Sequence, residues 1–263
     1  MPFNLTWLPT VLTNAGLRIA EMDGWPNRGT ANMGTVRGVM CHHTGGPATG
    51  NMPSLNVLAN GRPGLTGPLC QLGLGRDGTF YVVAAGRANH AGVGTWRGIS
   101  TGNSSFIGIE AENTGASSDR WPDVQLQACF RGVAAILKRI DQSEAMCCGH
   151  KEFARPLGRK PDPHSLDMDV FRIEVAKHLN KPSPPVLIPA RDSRDRPTLR
   201  RDFPGNPRFL VEFVQRKAGI KGKKIDGNFG PLTEAAVRRF QRRHGLVPDG
   251  IVGPKTWRVL ERQ

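Results

Sequence analysis

Residues 149–164 read Gly149-His150-Lys151-Glu152-Phe153-Ala154-Arg155-Pro156-Leu157-Gly158-Arg159-Lys160-Pro161-Asp162-Pro163-His164. Three prolines and an internal glycine exclude a regular helix or a central strand, so the stretch is expected to be a loop that presents side chains. Loops of this length inside a compact domain usually serve function. His150 and, twelve residues on, Asp162 are the residue types of a zinc ligand pair, provided a third ligand arrives from elsewhere.

Outward from this loop the pattern is that of a sheet with helices on it. Val124, Ala128, Val133, Ile136, Leu137 and Ile140 recur at near-helical spacing between Asp123 and Ile140, which predicts an amphipathic helix. Ser165 to Leu179 reads as another helix. Further upstream, Ser105 to Asn113 reads as a strand with Glu110 and Glu112 on one face, and an apolar strand seldom carries two such acids unless that face meets solvent, a cation or a site. Leu69–Gly75 and Thr79–Ala84 flank Arg76-Asp77-Gly78, the signature of a hairpin with an Asp-Gly turn. Asn89-His90-Ala91-Gly92 begins a loop of small residues. Thr35 to Cys41 reads as a strand that delivers His42-His43-Thr44 at its end, and alternation lets only one of the two histidines face a given side. The first thirty residues read as an irregular lead-in with, at most, a short helix.

The missing ligand is thus expected from the strand end. His42 with His150 and Asp162 gives three protein ligands and leaves a fourth position for water, the count used by catalytic rather than structural zinc. Zinc lowers the pKa of bound water to about 7, so hydroxide is available to attack a carbonyl. Glu110 could carry the proton to a leaving amine and Lys160 could stabilise the oxyanion, which makes the reaction class metal-assisted amide hydrolysis. His43, His90 and His164 compete for ligand positions on this reading, His164 foremost because it lies two residues from Asp162.

Composition sets the frame. The 263 residues carry 38% hydrophobic residues, 32 Gly and 21 Pro, a loop-rich globular chain. No apolar run approaches the roughly 18 residues that span a bilayer, and the amino terminus lacks the basic, apolar and small-residue pattern of an export signal. Five cysteines without CxxC spacing fit buried, reduced thiols. Lys and Arg outnumber Asp and Glu by 18 to 14 over residues 1–190 and by 18 to 8 over residues 191–263. That second excess would attract a polyanion such as nucleic acid, an anionic cell wall or a lipid surface.

The basic part also has its own organisation. Lys181-Pro182-Ser183-Pro184-Pro185 and the charge-rich Arg191 to Arg201 read as a linker without a burial pattern. Beyond it, Asp226-Gly227-Asn228-Phe229-Gly230-Pro231-Leu232-Thr233 and Asp249-Gly250-Ile251-Val252-Gly253-Pro254-Lys255-Thr256 share one pattern at a 23-residue offset. Each reads as a turn leading into a helix with Pro in its first turn. With a helix from about Pro207 to Ala218 they predict a three-helix module. The expected layout is 1–180, a linker over 181–203, and 204–263.

The order V-M-C-H-H-T-G, R-D-G-T, N-H-A-G, F-I-G-I-E, G-H-x-E and K-x-D-P resembles the zinc-dependent N-acetylmuramoyl-L-alanine amidases of the type 2 family, relatives of the peptidoglycan recognition proteins, over roughly residues 30–180. The C-terminal echo resembles the three-helix peptidoglycan-binding module found beside wall hydrolases. Such a pairing is similar to bacteriophage endolysins, which accumulate in the host cytoplasm until lysis. The resemblance implies a mixed central β-sheet with flanking helices, followed by an all-α module. It also implies cleavage of the amide between N-acetylmuramic acid and L-alanine. By position it places the Zn2+ ligands at His42, His150 and Asp162, the catalytic residues at Glu110 and Lys160, and the substrate contacts at Asn89, His90 and His43. His164 stands where relatives often have Gly, which leaves room for it either to support Asp162 or to replace it as a ligand. The implied partner is bacterial peptidoglycan, with anionic wall polymers or lipopolysaccharide as targets of the basic module, and the chain is expected to act as a monomer. A non-catalytic recognition protein is the alternative on this fold. Nucleic acid ranks low as a partner, because with one Tyr the basic residues are not interleaved with a stacking platform.

Overall fold

The computed structural model describes residues 3–179, 196–201 and 206–262. The chain divides into two compact units, Met1–Pro185 and Val186–Gln263. Most of the linker expected over 181–203 lies outside the described residues.

In the first unit the lead-in is more regular than its sequence suggests. Leu8–Asn14 (α1) is helical with Pro in its first turn, and Ile19–Glu21 (β1) is a strand. Gly38–His43 (β2) follows, then Leu55–Asn60 (α2), the small antiparallel pair Gly61–Arg62 (β3) and Leu65–Thr66 (β4), and the hairpin Leu72–Leu74 (β5) and Phe80–Val82 (β6). Gly78 closes that hairpin at a φ of 78°, which a side chain would resist. Gly102–Ser105 (α3) leads directly into Phe106–Ala111 (β7), and Asp123–Arg139 (α4) is the amphipathic helix. Cys147–Gly149 (β8), His150–Phe153 (α5) and Met168–Leu179 (α6) complete the unit.

Among the described residues six strands form a mixed sheet in the order β1-β6-β5-β7-β2-β8, antiparallel only at β5/β6. Its central strands β5, β7 and β2 are apolar up to their carboxyl ends, where Glu110, His42 and His43 stand, because both faces are covered. Val39 and Cys41 of β2 join one core with α1, α4 and α6, whereas Met40 packs with Phe106, Cys148 and Phe153 on the other side. On α4, Phe130, Val133, Ile136 and Leu137 are buried, each large side chain contributing about 1.5–3 kcal/mol of apolar transfer. Val124, counted in the predicted stripe, is instead 50% exposed, and the neighbouring Gln125 is the residue turned inward, its Nε2 donating to the Glu112 carbonyl at 3.0 Å and the Leu74 carbonyl at 3.2 Å. All five cysteines are buried and free.

The stretch 149–164 is not loop throughout. Its first four residues after Gly149 make one helical turn, α5, because the prolines begin only at Pro156 and Glu152 Oε2 accepts the Gly149 N–H at 2.8 Å. Arg172 on α6 holds that carboxylate with two hydrogen bonds of 2.8 and 2.9 Å.

The second unit packs Arg208–Lys217 (α7), Pro231–Arg243 (α8) and Pro254–Leu260 (α9) around Val214, Phe240 and Trp257. The sequence echo has a structural counterpart. Gln215 Nε2 donates to Asp226 Oδ1 at 2.7 Å while its Oε1 accepts the Gly227 N–H at 3.0 Å. Gln241 does the same with Asp249 Oδ1 at 2.7 Å and the Gly250 N–H at 2.8 Å. Each glutamine ties a helix to the turn that starts the next one. Part of the expected linker belongs to this unit: Leu199 is fully buried, bridges Val252, and lies near Pro197, whose carbonyl accepts the Trp257 Nε1–H at 3.0 Å. An apolar residue two positions from Pro197 had no periodic partners in sequence by which to be recognised.

Candidate metal centre

The site forms at the carboxyl ends of neighbouring parallel strands, where open α/β sheets place their ligands. Register pairs His42 of β2 with Glu110 of β7, and Cys41 with Gly149 of β8, so His150 begins α5 beside His42. The loop after α5 turns back until the Asp162 carbonyl accepts the Lys151 N–H at 2.7 Å. That return brings the Asp162 carboxylate between the two imidazoles.

His42 Nδ1 lies 3.1 Å from His150 Nδ1 and 3.0 Å from Asp162 Oδ2, and His150 Nδ1 lies 3.0 Å from the same oxygen. All three residues are buried. Burial pushes the His42 imidazole down to about 4, against the pull of Asp162, so it is neutral near pH 7 as a ligand must be.

These residues fit a metal. His150 Nε2 lies 2.8 Å from the Ala91 carbonyl, which can only accept, so Nε2 carries the ring proton and Nδ1 meets Asp162 with a lone pair. A lone pair facing a carboxylate oxygen inside the protein is an arrangement that a cation relieves. Two imidazole nitrogens, one carboxylate oxygen and an open remainder are the donor set of catalytic zinc.

Residues 32–165 match the family model described as N-acetylmuramoyl-L-alanine amidase. The chain belongs to this family. Residues 216–260 match a peptidoglycan binding domain. The amidase CwlL of Bacillus licheniformis is 55% identical over 38 residues, 14% of this chain and 11% of that protein. An uncharacterized protein from the bpoA1 3' region of Kitasatospora aureofaciens is 36% identical over 94 residues, 35% of this chain and 80% of that protein. Among solved structures, an AmpD derivative is 24% identical, with a TM-score of 0.46 over 66% of this chain and 99% of that chain.

In this amidase Glu110 stands next to the donor cluster, its Oε1 3.9 Å from His42 Nδ1 and its Oε2 buried without a hydrogen-bond partner among the described residues. Burial, then the Asp162 carboxylate, pushes its carboxyl well above the usual range, and Lys160 pulls it back. Glu112 is a different kind of acid. Fully buried, it accepts hydrogen bonds from Thr44 Oγ1 at 2.8 Å, Ser54 Oγ at 2.9 Å and the Ser54 N–H at 3.1 Å. Lys160 is half-buried on the loop before Asp162.

The remaining histidines are sorted by the geometry. His164 is outside the donor cluster: its backbone N–H donates to His43 Nδ1 at 3.0 Å and its ring pairs with Ser165 Oγ at 2.7 Å. His43, on the opposite face of β2 from His42, thereby pins the segment after Asp162. His90 is 8% exposed, with Nδ1 3.1 Å from His42 Nε2, behind the ligand. Burial, then His42 and His150, holds its pKa well below the usual value. Asn89 is half-buried and donates to the Thr66 carbonyl at 3.0 Å. Sequence reasoning passed over the Ala91 carbonyl, which no side-chain pattern reports, and Asn103, whose Oδ1 accepts the N–H groups of His90 and Ala91.

Proposed function

We propose that this amidase hydrolyses the amide joining N-acetylmuramic acid to L-alanine in peptidoglycan, acting as a lytic enzyme of the phage endolysin type. The observation that carries the reading is the buried triad His42, His150 and Asp162 beside the unpartnered Glu110 carboxylate oxygen. When bound, zinc supplies a Lewis acid that activates water and polarises the substrate carbonyl. Glu110 takes the proton of the attacking water and hands it to the departing L-alanine nitrogen as the C–N bond breaks, leaving a carboxylate on the lactyl group. A raised pKa suits it to both halves of that transfer. The Lys160 ammonium offsets the negative charge that grows on the carbonyl oxygen. Asn89, half-buried beside His90, and His43, half-buried beside His42, are the proposed contacts to the substrate at the rim.

The second unit supports the choice of substrate, since a peptidoglycan binding domain holds the chain on the wall where the bond is found. Its exposed Lys221, Lys223, Lys224, Arg239, Arg242, Arg243, Lys255 and Arg258 suit anionic wall polymers or lipopolysaccharide as secondary contacts. Among the described residues no helix is long and apolar enough to cross a membrane. Digestion of purified peptidoglycan followed by mass spectrometry of the soluble fragments tests the reading. Stem peptides beginning with L-alanine, beside intact glycan strands, are expected. Cuts in the glycan would contradict it, and wall binding without release would favour a recognition protein on the same fold.

A further inference from the structure

Each ligand histidine turns one ring nitrogen to the donor cluster and one away from it, and what stands behind each decides which nitrogen is free to coordinate. Behind His150 is the Ala91 carbonyl. Behind His42 is a second imidazole: His42 Nε2 lies 3.1 Å from His90 Nδ1, the rings meeting edge to face at 88°. His90 Nε2 in turn lies 3.1 Å from the Phe106 carbonyl. A carbonyl only accepts, so the His90 proton is on Nε2 and its Nδ1 is an acceptor. The His42 proton must then sit on Nε2, leaving Nδ1 bare and aimed at the cluster. The Phe106 carbonyl therefore fixes the tautomer of His42 through one intervening ring.

Both devices meet in two consecutive residues. His90 supplies the ring behind His42, Ala91 supplies the carbonyl behind His150, and the backbone N–H groups of both donate to Asn103 Oδ1, at 2.9 and 2.8 Å. The ring of His90 fits because position 108 on β7 is glycine: a Cβ there would lie 2.8 Å from His90 Cγ. Ligating histidines commonly donate their second N–H to a fixed acceptor, and loss of that acceptor typically weakens metal binding.

We propose that the His90–Ala91 segment, clamped by Asn103, is the device that sets the tautomer of both histidine ligands, with His90 a positioning residue for zinc rather than a wall of the substrate groove. This rests on the zinc reading of the cluster. It is tested in the zinc-loaded chain by nitrogen NMR of the imidazoles, with zinc affinity measured by competition against a chromogenic chelator. In the unsubstituted chain His90 should carry its proton on Nε2, and a scalar coupling should pass through the hydrogen bond between His42 Nε2 and His90 Nδ1. His90→Phe keeps a flat ring without an acceptor and should weaken zinc binding about 10–100-fold, whereas His90→Gln keeps an acceptor and a donor and should restore most of that loss. Asn103→Ala should weaken it as well. A His90 proton on Nδ1, an undiminished affinity in His90→Phe, or equal losses in the Phe and Gln variants would overturn the proposal. An unsubstituted chain that takes up no zinc would instead overturn the zinc reading beneath it.

Discussion

Asp162 is the residue on which the site closes, since its Oδ2 lies 3.0 Å from both His42 Nδ1 and His150 Nδ1. Asp162→Ala should therefore abolish stoichiometric zinc uptake, measurable by metal analysis after dialysis, and lower wall hydrolysis to background. Glu110 contacts the cluster only at 3.9 Å and should separate the two properties. Glu110→Gln should keep zinc and lose about 10²–10⁴-fold in kcat, the usual worth of a positioned acid–base group; an unchanged kcat would move that role elsewhere. The donor cluster was legible in the sequence because His42 sits near the end of a strand and Asp162 sits among prolines, both places where a side chain is aimed rather than packed. Its supports were not, because a backbone carbonyl at Ala91 and a side-chain amide at Asn103 carry no pattern until the chain is folded.

Among the elements, α4, β2, β7 and the β5/β6 hairpin were legible because each shows a period or a turn signature. The strands β1 and β8 are three residues long and are strands only because the sheet supplies neighbours on which to pair. Glu112 marks an element whose order rests on one acid. Its carboxylate gathers Thr44 and both polar groups of Ser54, fixing the loop between β2 and α2 next to the site. Glu112→Ala leaves those buried donors unmatched and should cost about 2–4 kcal/mol, read as a shift of the urea midpoint without a change in slope. A second loop is fixed by Asp119, which meets Arg76 at 2.8 and 2.9 Å and accepts the Thr114 N–H at 2.8 Å. The Arg76 hydrogen bonds lead in lowering its carboxyl to about 2. An unfolded aspartate titrates near 3.9, so the unfolded chain binds more protons across that interval. The resulting stability, about 2 kcal/mol, is present above pH 4 and lost as pH falls toward 2. Denaturation midpoints across that window should flatten in Asp119→Asn relative to the parent chain.

For the whole molecule, two compact units divide the labour, one carrying the donor cluster and the other matching a peptidoglycan binding domain. The repeat of the second unit was legible at its turns, but the glutamines that anchor them were not: Gln215 precedes Asp226 by eleven residues and Gln241 precedes Asp249 by eight, so they break the 23-residue offset. Removing residues 196–263 should weaken sedimentation with walls while leaving hydrolysis of a soluble muramyl peptide within a few-fold of the full chain. Wall binding by the full chain should also fall with salt, as contacts of exposed lysines and arginines with polyanions do. Hydrolysis by the whole molecule should depend on the His42, His150 and Asp162 cluster working as a zinc centre. The most direct test of that dependence is to strip the protein with a chelator, titrate zinc back, and follow release of L-alanine amino termini from walls. Activity should be absent at the start, rise in proportion to bound zinc and saturate at one ion per chain; full activity in the stripped protein, or saturation unrelated to bound zinc, would contradict it.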